Sequence, residues 1–496
     1  MTIVEGQTGV IVIDPLISVE CAQAALNLYQ SHRGARKVTG LIYSHSHVDH
    51  FGGAQGVLLD HSSANVPILA PEGFMDAALN ENIFAGPSMR RRAAFMYGNK
   101  IPKGPTGQIG CGLGMTTSAG TISMVPPTVL VKITGEEHVV DGVRIVFQAV
   151  PETEAPAEMN FYFPDHGPYI LQIWSRYLDE TIVLFGEISD VLFAGHNWPT
   201  WGSAKIIKLV SEQRDLYGYM HDQTVRLMNA GLTGIEIAEI MTLPPALQQA
   251  WHAQGYYGSL SHNIKGIYQK YITWFNGNPA HLWQYPPAEE GKRYLSCMGG
   301  VDEVVKKAET FAKEGDLRFA TTLLGHTVAA EPAHGKARAA LALVFEKLGF
   351  GAENATWRNV YLTSAQELRS GRNTERSLTA MDEVNPGLSV EQWLAGLSVR
   401  IDGPRAARQN FAFGLHVVDT GEKWKLIMSN GALTYRRQPG NASDVDLTLK
   451  KAELRQMLES NLKLPPVQSR GDLGLMRLLL SLVSGADSNE ARNSHI

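Results

Sequence analysis

The chain has 496 residues, 44% hydrophobic and 19% charged, a globular composition with room for two to four domains. Its formal net charge of −5 gives no electrostatic basis for binding nucleic acid or an anionic membrane, and the short run Arg90-Arg91-Arg92 reads as a solvated helix face. Three scattered cysteines (Cys21, Cys111, Cys297) make neither a disulfide framework nor a cysteine metal site, and no apolar run reaches membrane-spanning length.

Residues 10–13 (Val-Ile-Val-Ile) read as a buried strand ended by Asp14-Pro15. A helix is expected over 19–30, with Cys21, Ala24, Ala25 and Leu28 on one face. Strands follow at 38–43 and at 66–70, the latter stopped by Pro71. Residues 104–120, rich in Gly and Thr, have neither strand nor helix period and read as a loop packed against something; contact with an anion is the weaker reading. Further strands are expected at 129–133, 138–140, 143–149 and 190–194. This alternation predicts an α/β layered fold with its site at strand ends.

From residue 203 the pattern is helical. Helices are expected over 203–230 and 262–275, and three more lie between 301 and 349, broken near Gly315-Asp316 and Glu331-Pro332. These look like stacked antiparallel helices, which pack against a partner more often than they perform chemistry. After Gly371 the period changes to two: residues 411–417 and 424–428 alternate apolar and polar, Asn430-Gly431 supplies a hairpin turn into 433–435, and 445–449 is another strand. Helices at 450–461 and 472–484 complete a small α+β domain, a scaffold or a pocket for an aliphatic tail.

The segment Ser44-His45-Ser46-His47-Val48-Asp49-His50, followed by Phe51-Gly52-Gly53, carries the chemistry. Three histidines and an aspartate follow directly on the apolar run 41–43. In an extended segment His45 and His47 project to the same side, while Asp49 and His50 follow where the chain turns and can face a second ion. Imidazole and carboxylate donors suit Zn²⁺ or a similar metal. More donors must come from downstream. His196, in Gly195-His196-Asn197-Trp198-Pro199 after a strand, is the best candidate. Among Glu152, Glu154 and Glu158, at the end of the strand 143–149, position alone does not choose. His61 and His138 read more simply as surface or hydrogen-bonded residues.

The histidine cluster resembles the metal signature of the metallo-β-lactamase superfamily. Together with residues 153–164, 196–202 (His-Asn-Trp-Pro-Thr-Trp-Gly), 219–224 and 255–263, it closely resembles the alkylsulfatases of that superfamily. The resemblance spans nearly the whole chain. It implies an αββα metallo-β-lactamase-like domain over 1–202, an all-α dimerisation domain over 203–371 and an α+β sterol-carrier-like domain over 372–496. It also implies two zinc ions, one held by His45, His47 and Glu154 and the other by Asp49, His50 and His196, with Asp49 also counted as catalytic. The implied reaction is hydrolysis of linear primary alkyl sulfates such as dodecyl sulfate by metal-activated water, in a homodimer. Family members are often exported. No signal peptide precedes the first strand here, so the chain as written reads as cytoplasmic. Rival readings are another hydrolase of the same fold and a non-catalytic protein that binds aliphatic ligands.

The resemblance breaks at one place. Family members follow the Phe-Tyr-Phe-Pro-Asp stretch with a segment of about twenty residues that carries a metal-bridging glutamate and sulfate-binding residues; here Asp165 runs through His166-Gly167-Pro168 into Trp174-Ser175-Arg176 without it. Two dications lose a shared anion, and the sulfate loses positive partners. The expectation is one weak metal site and reduced activity, with Glu158, Asp165 or His166 as partial substitutes.

Overall fold

The structure is a computed structural model that describes residues 1–58, 65–164, 168–170, 175–371, 385, 387–437, 443–459 and 468–483. His61, Asp165 and His166 lie outside the described residues. Two sheets open the chain. The first holds β1 (Thr2–Glu5), β2 (Val10–Ile13), β3 (Val38–Ile42), β4 (Ile68–Pro71) and β5 (Val129–Val131) in that order. The second holds β6 (Glu137–Val140), β7 (Val143–Ala149), β8 (Met159–Tyr162), β9 (Pro168–Ile170), β10 (Val191–Phe193) and β11 (Thr200–Trp201), running from β11 to β6 in that spatial order.

β2 is buried along its whole length because both of its faces are covered. Ile11 and Ile13 meet Ile145, Phe147 and Phe161 of the second sheet, while Val10 and Val12 pack on the helical side with Ala22, Leu26 and Phe51. On the far face of the second sheet, Tyr162 and Leu192 pack against Ile206 and Val210 of the helix Ser203–Asn229. The layers are therefore helix, sheet, sheet, helix. The helix Val19–Arg33 turns Ala22 and Leu26 inward, not the face expected: Leu28 is 63% exposed. The strand expected at 66–70 begins at Ile68 and ends at Pro71, which is its last residue, paired with Val131.

The middle region is helical. Helices Pro287–Met298, Val301–Glu314, Leu317–Ala330, Gly335–Phe350 and Ala355–Ser370 share one apolar core. The helix expected over 262–275 is Leu260–Ile272; Thr273, at φ +69°, ends it. The loop at 104–120 packs against the middle region, as the first of its two readings has it. Arg358 donates to the carbonyls of Pro105 and Gly107, and Asn359 to that of Gly110, at 2.6–3.2 Å.

In the third region β12 (Phe411–Val417), β13 (Glu422–Ser429), β14 (Ala432–Arg437), β15 (Val445–Leu449) and β16 (Gln468–Gly471) form a sheet ordered β14-β13-β12-β15-β16. Asn430 and Gly431 have φ of +51° and +77°, the two positive values that a two-residue hairpin with right-handed twist requires. Its apolar face continues into the helical side of the first sheet through Trp393 and Ile83. An apolar cavity lies among Leu397, Phe413, Leu426, Met457 and Met476.

Candidate metal centre

β2 and β3 run parallel with Ile13 beside Ile42, so Asp14 and the Tyr43-Ser44 step leave the sheet at the same edge. Asp14, at φ +52°, turns its carboxylate back onto that edge. The Ser44 N–H donates to Asp14 Oδ1 at 2.8 Å and the Ser44 hydroxyl to Oδ2 at 2.7 Å. After His47 the one-turn helix Val48–Phe51 reverses the chain, anchored by the buried Phe51 ring, and places Asp49 and His50 back over the strand ends.

Two of the imidazoles are held from behind. His50 Nδ1 lies 2.9 Å from Asp14 Oδ2, and His45 Nδ1 lies 2.9 Å from the Ser44 oxygen. Because the Ser44 hydroxyl donates to Asp14, it accepts from His45 Nδ1–H. Each ring then presents Nε2 as its lone-pair end, the arrangement that outer carboxylates impose on metal-binding histidines. Among the described residues the buried His50 Nε2 has no hydrogen-bond partner.

Remote segments complete the cluster. The turn after β7 docks on the strand edge through Met159 N–H donating to the Ser44 carbonyl and a bridge between His45 and Glu158. It brings Glu154 Oε1 to 3.6 Å from His47 Nδ1 and 3.9 Å from His45 Nε2; the two ring nitrogens are 3.1 Å apart. The loop between β10 and β11 brings His196 Nε2 to 3.4 Å from Asp49 Oδ2, which is 3.3 Å from His50 Nε2. Only glycine fits before His196, since a Cβ on Gly195 would stand 2.5 Å from His50 Cε1.

The six residues that the resemblance implies thus gather as two groups of three, His45, His47, Glu154 and Asp49, His50, His196, with the donor atoms of each within 4.8 Å of one another. Tetrahedral bonds of about 2.0–2.1 Å to a shared ion place neighbouring donors roughly 3.3 Å apart. That spacing, the nitrogen-oxygen donor set and the orphaned His50 Nε2 fit a divalent metal such as zinc in each group. Glu152 is exposed and lies in neither group; His138 instead pairs with Glu136 at 2.8 Å.

In the ion-free cluster His45 is neutral, whereas His50 carries a proton that a bound ion would have to displace. Burial, with repulsion from His50 and His47, holds His45 well below its usual pKa, hence neutral and able to donate its lone pair. Burial opposes the charged forms of His50 and Asp49, yet Asp14 and Asp49 raise His50 well above its usual value, and His50 and His196 hold Asp49 well below its own. Glu158 is pushed up to about 7 by burial and by the Glu154 charge. Its Oε2 accepts from Thr153 Oγ1 and the Ala155 N–H, bracing the turn that carries Glu154, while its buried Oε1 has no partner among the described residues.

Several residues around the site escaped the sequence reading. Asp14 registered only as a strand stop; its proximity to Ser44 depends on the pairing of β2 with β3. Tyr97 and Tyr257, from the first and middle regions, share a hydrogen bond of 3.1 Å. Burial raises both phenols, and the Asp49 charge adds to it. Tyr257 stands within a motif that carried the resemblance, without any signal of its own.

Comparison with known proteins accords with this architecture. Family models match as metallo-beta-lactamase superfamily over residues 1–85, alkyl sulfatase dimerisation over 233–371 and alkyl sulfatase C-terminal over 379–489. A linear primary-alkylsulfatase of a Pseudomonas species is 42% identical over 500 residues, covering 95% of this chain and 74% of that protein. Alkyl/aryl-sulfatase BDS1 of Saccharomyces cerevisiae is 37% identical over 486 residues, covering 93% and 75%. The solved structure of the stereoselective inverting sec-alkylsulfatase Pisa1 from Pseudomonas sp. superposes with a TM-score of 0.93 at 36% identity, over 97% of this chain and 81% of that one. The chain belongs to the alkylsulfatase family of the metallo-β-lactamase superfamily.

Proposed function

We propose that this chain hydrolyses linear primary alkyl sulfate esters, such as dodecyl sulfate, to the alcohol and inorganic sulfate. The observation that carries the reading is the pair of three-donor groups on one strand edge, in a chain whose middle and last regions match alkylsulfatase families. His45, His47 and Glu154 would hold one zinc ion, and Asp49, His50 and His196 the other. When bound, such ions supply a water activated at neutral pH and positive charge facing the ester.

The remaining work falls to side chains. Ser44 and Asp14 keep His45 and His50 in the tautomers that free Nε2. Asp49, held ionised beside His50 and His196, would be the carboxylate able to accept a hydrogen bond from a water that such an ion would hold. Tyr97 and Tyr257, held protonated, can donate hydrogen bonds to an anionic ester. We read the chain as three domains, 1–202, 203–371 and 372–496. The second joins two copies in a homodimer, supported by its dimerisation-family match, and the third is a sterol-carrier-like fold around its apolar cavity. No described helix is long and apolar enough to cross a membrane.

The missing bridging-glutamate segment leaves each ion three protein donors from the described residues, so the proposal includes one weakly held zinc and turnover below that of intact relatives. Sulfate release from dodecyl sulfate tests the activity. We expect slow release that His45→Ala abolishes; release unchanged by His45→Ala would end the metal reading, and retention of lipid without any release would favour the binding protein. Plasma emission on purified protein tests the impairment, which two tightly held zinc ions per chain would overturn.

A further inference from the structure

His196 is the remote member of its group, carried by the loop between β10 and β11. Asn197, immediately after it, sits at φ +69°, and Trp198 is 66% exposed. A tryptophan so exposed gains little from burial. What holds it is a stack: its ring lies on that of Trp251, 45% exposed, with centroids 5.0 Å apart and planes 17° from parallel.

Trp251 belongs to the middle region, in the short turn Trp251–Ala253, and that turn is fixed. His252, its ring almost wholly covered, pairs through Nε2 with Glu212 at 2.9 Å. Its Nδ1 lies 2.9 Å from Gln213 Nε2, which donates to it. Both partners sit on the helix Ser203–Asn229, whose Ile206 and Val210 pack on the second sheet. A continuous set of contacts therefore runs from that helix through His252 and Trp251 to Trp198, two residues from His196.

We propose that Trp251 is a positioning residue for the metal group of Asp49, His50 and His196. By stacking on Trp198 it holds the His196 loop in the place that metal binding requires, so the middle region sets the metal affinity of the first. The proposal rests on the reading that this group holds a metal. Trp251 belongs to neither donor group and acts through Trp198. Its effect is selective, because His45, His47 and Glu154 are carried by segments that the stack does not reach.

Zinc titration of the full chain against a chromophoric chelator resolves the two sites. Trp251→Ala should weaken one site about tenfold, the scale of outer contacts to metal ligands, and leave the other unchanged. Trp251→Phe, which keeps an aromatic face, should restore affinity to within about threefold of wild type. Should Trp251→Ala fail to fold, Trp251→Leu keeps apolar bulk without the ring and should show the same selective loss. Wild-type affinity at both sites in the Leu variant, or equal loss at both sites in any variant, would overturn the positioning role. A wild-type chain that binds no zinc would overturn the metal reading and this inference with it.

Discussion

The two donor groups stand side by side on one strand edge, yet they are built differently. In the first, donor separations spread from 3.1 to 3.9 Å, and the Glu154 side chain, on a turn, is 40% exposed. In the second, the separations measured to Asp49 are 3.3 and 3.4 Å, and His50 is buried between Asp14 and the glycine that precedes His196. The donor types are alike, two imidazoles and a carboxylate in each. Exposure is alike too: His45 and His50 are buried, and the Glu154 and Asp49 side chains are 40% and 39% exposed. What differs is the backing: Asp14 and Gly195 lie directly on the His50 ring, whereas Ser44 stands between Asp14 and His45, and the wider donor spacing of the first group leaves slack.

Asp14→Ala should have the largest effect and should blur that difference, because Asp14 backs His50 directly and His45 through Ser44. Removing it leaves buried donors without an acceptor. We expect both zinc affinities to fall about 10–100-fold and the metal-free fold to lose about 3–5 kcal/mol in urea unfolding. Loss at one site only would show that Ser44 holds His45 without Asp14.

Glu158→Gln probes the turn behind the slack group. The folded-state pKa of Glu158 is raised, so its contribution to stability is fully present below the ordinary value of 4.5 and is lost as pH rises through about 7. The interval corresponds to roughly 3 kcal/mol. The Gln variant, whose carbonyl can still accept from Thr153 and Ala155, should gain about that much on wild type across this window in the metal-free protein. Parallel urea unfolding curves at acid and alkaline pH check it; a constant difference between the two proteins would mean that Glu158 ionises freely.

Gly195→Ala should have the smallest effect and the most selective one. Its Cβ would press on the His50 ring, with an overpacking cost of about 1–3 kcal/mol. In a zinc titration the loss should appear at the group of His50 and not at that of His45. Equal affinities in variant and wild type would show that the loop can yield, and that the tightness of the second group does not come from this contact.

Much of the layout was legible because it is local. Period two at 411–417 and the unbroken apolar runs at 10–13 and 41–43 report strands whatever surrounds them, and a turn after an apolar strand places four donors of 45–50 in one neighbourhood. Element ends were less legible. The helix expected to reach 275 stops at Ile272, where Thr273 takes a positive φ that its β-branched side chain does not advertise. The inward face of the first helix was misplaced because small and large apolar residues occur on both sides of it, and the layer it packs on chose Ala22 and Leu26.

The sequence by itself determined that His45, His47, Asp49 and His50 share one turn after a strand, and that strand-rich, helical and then mixed regions follow in order. Tertiary structure decided the rest of the centre. It selected Glu154 over Glu152 and Glu158 for proximity to His45 and His47, set Asp14 behind His50, required glycine at 195, and braced the His196 loop with a tryptophan from another region. Local pattern fixes which residues are neighbours along the backbone. Strand pairing and side-chain packing bring remote carboxylates and rings to within a few ångströms, and no local spacing encodes them.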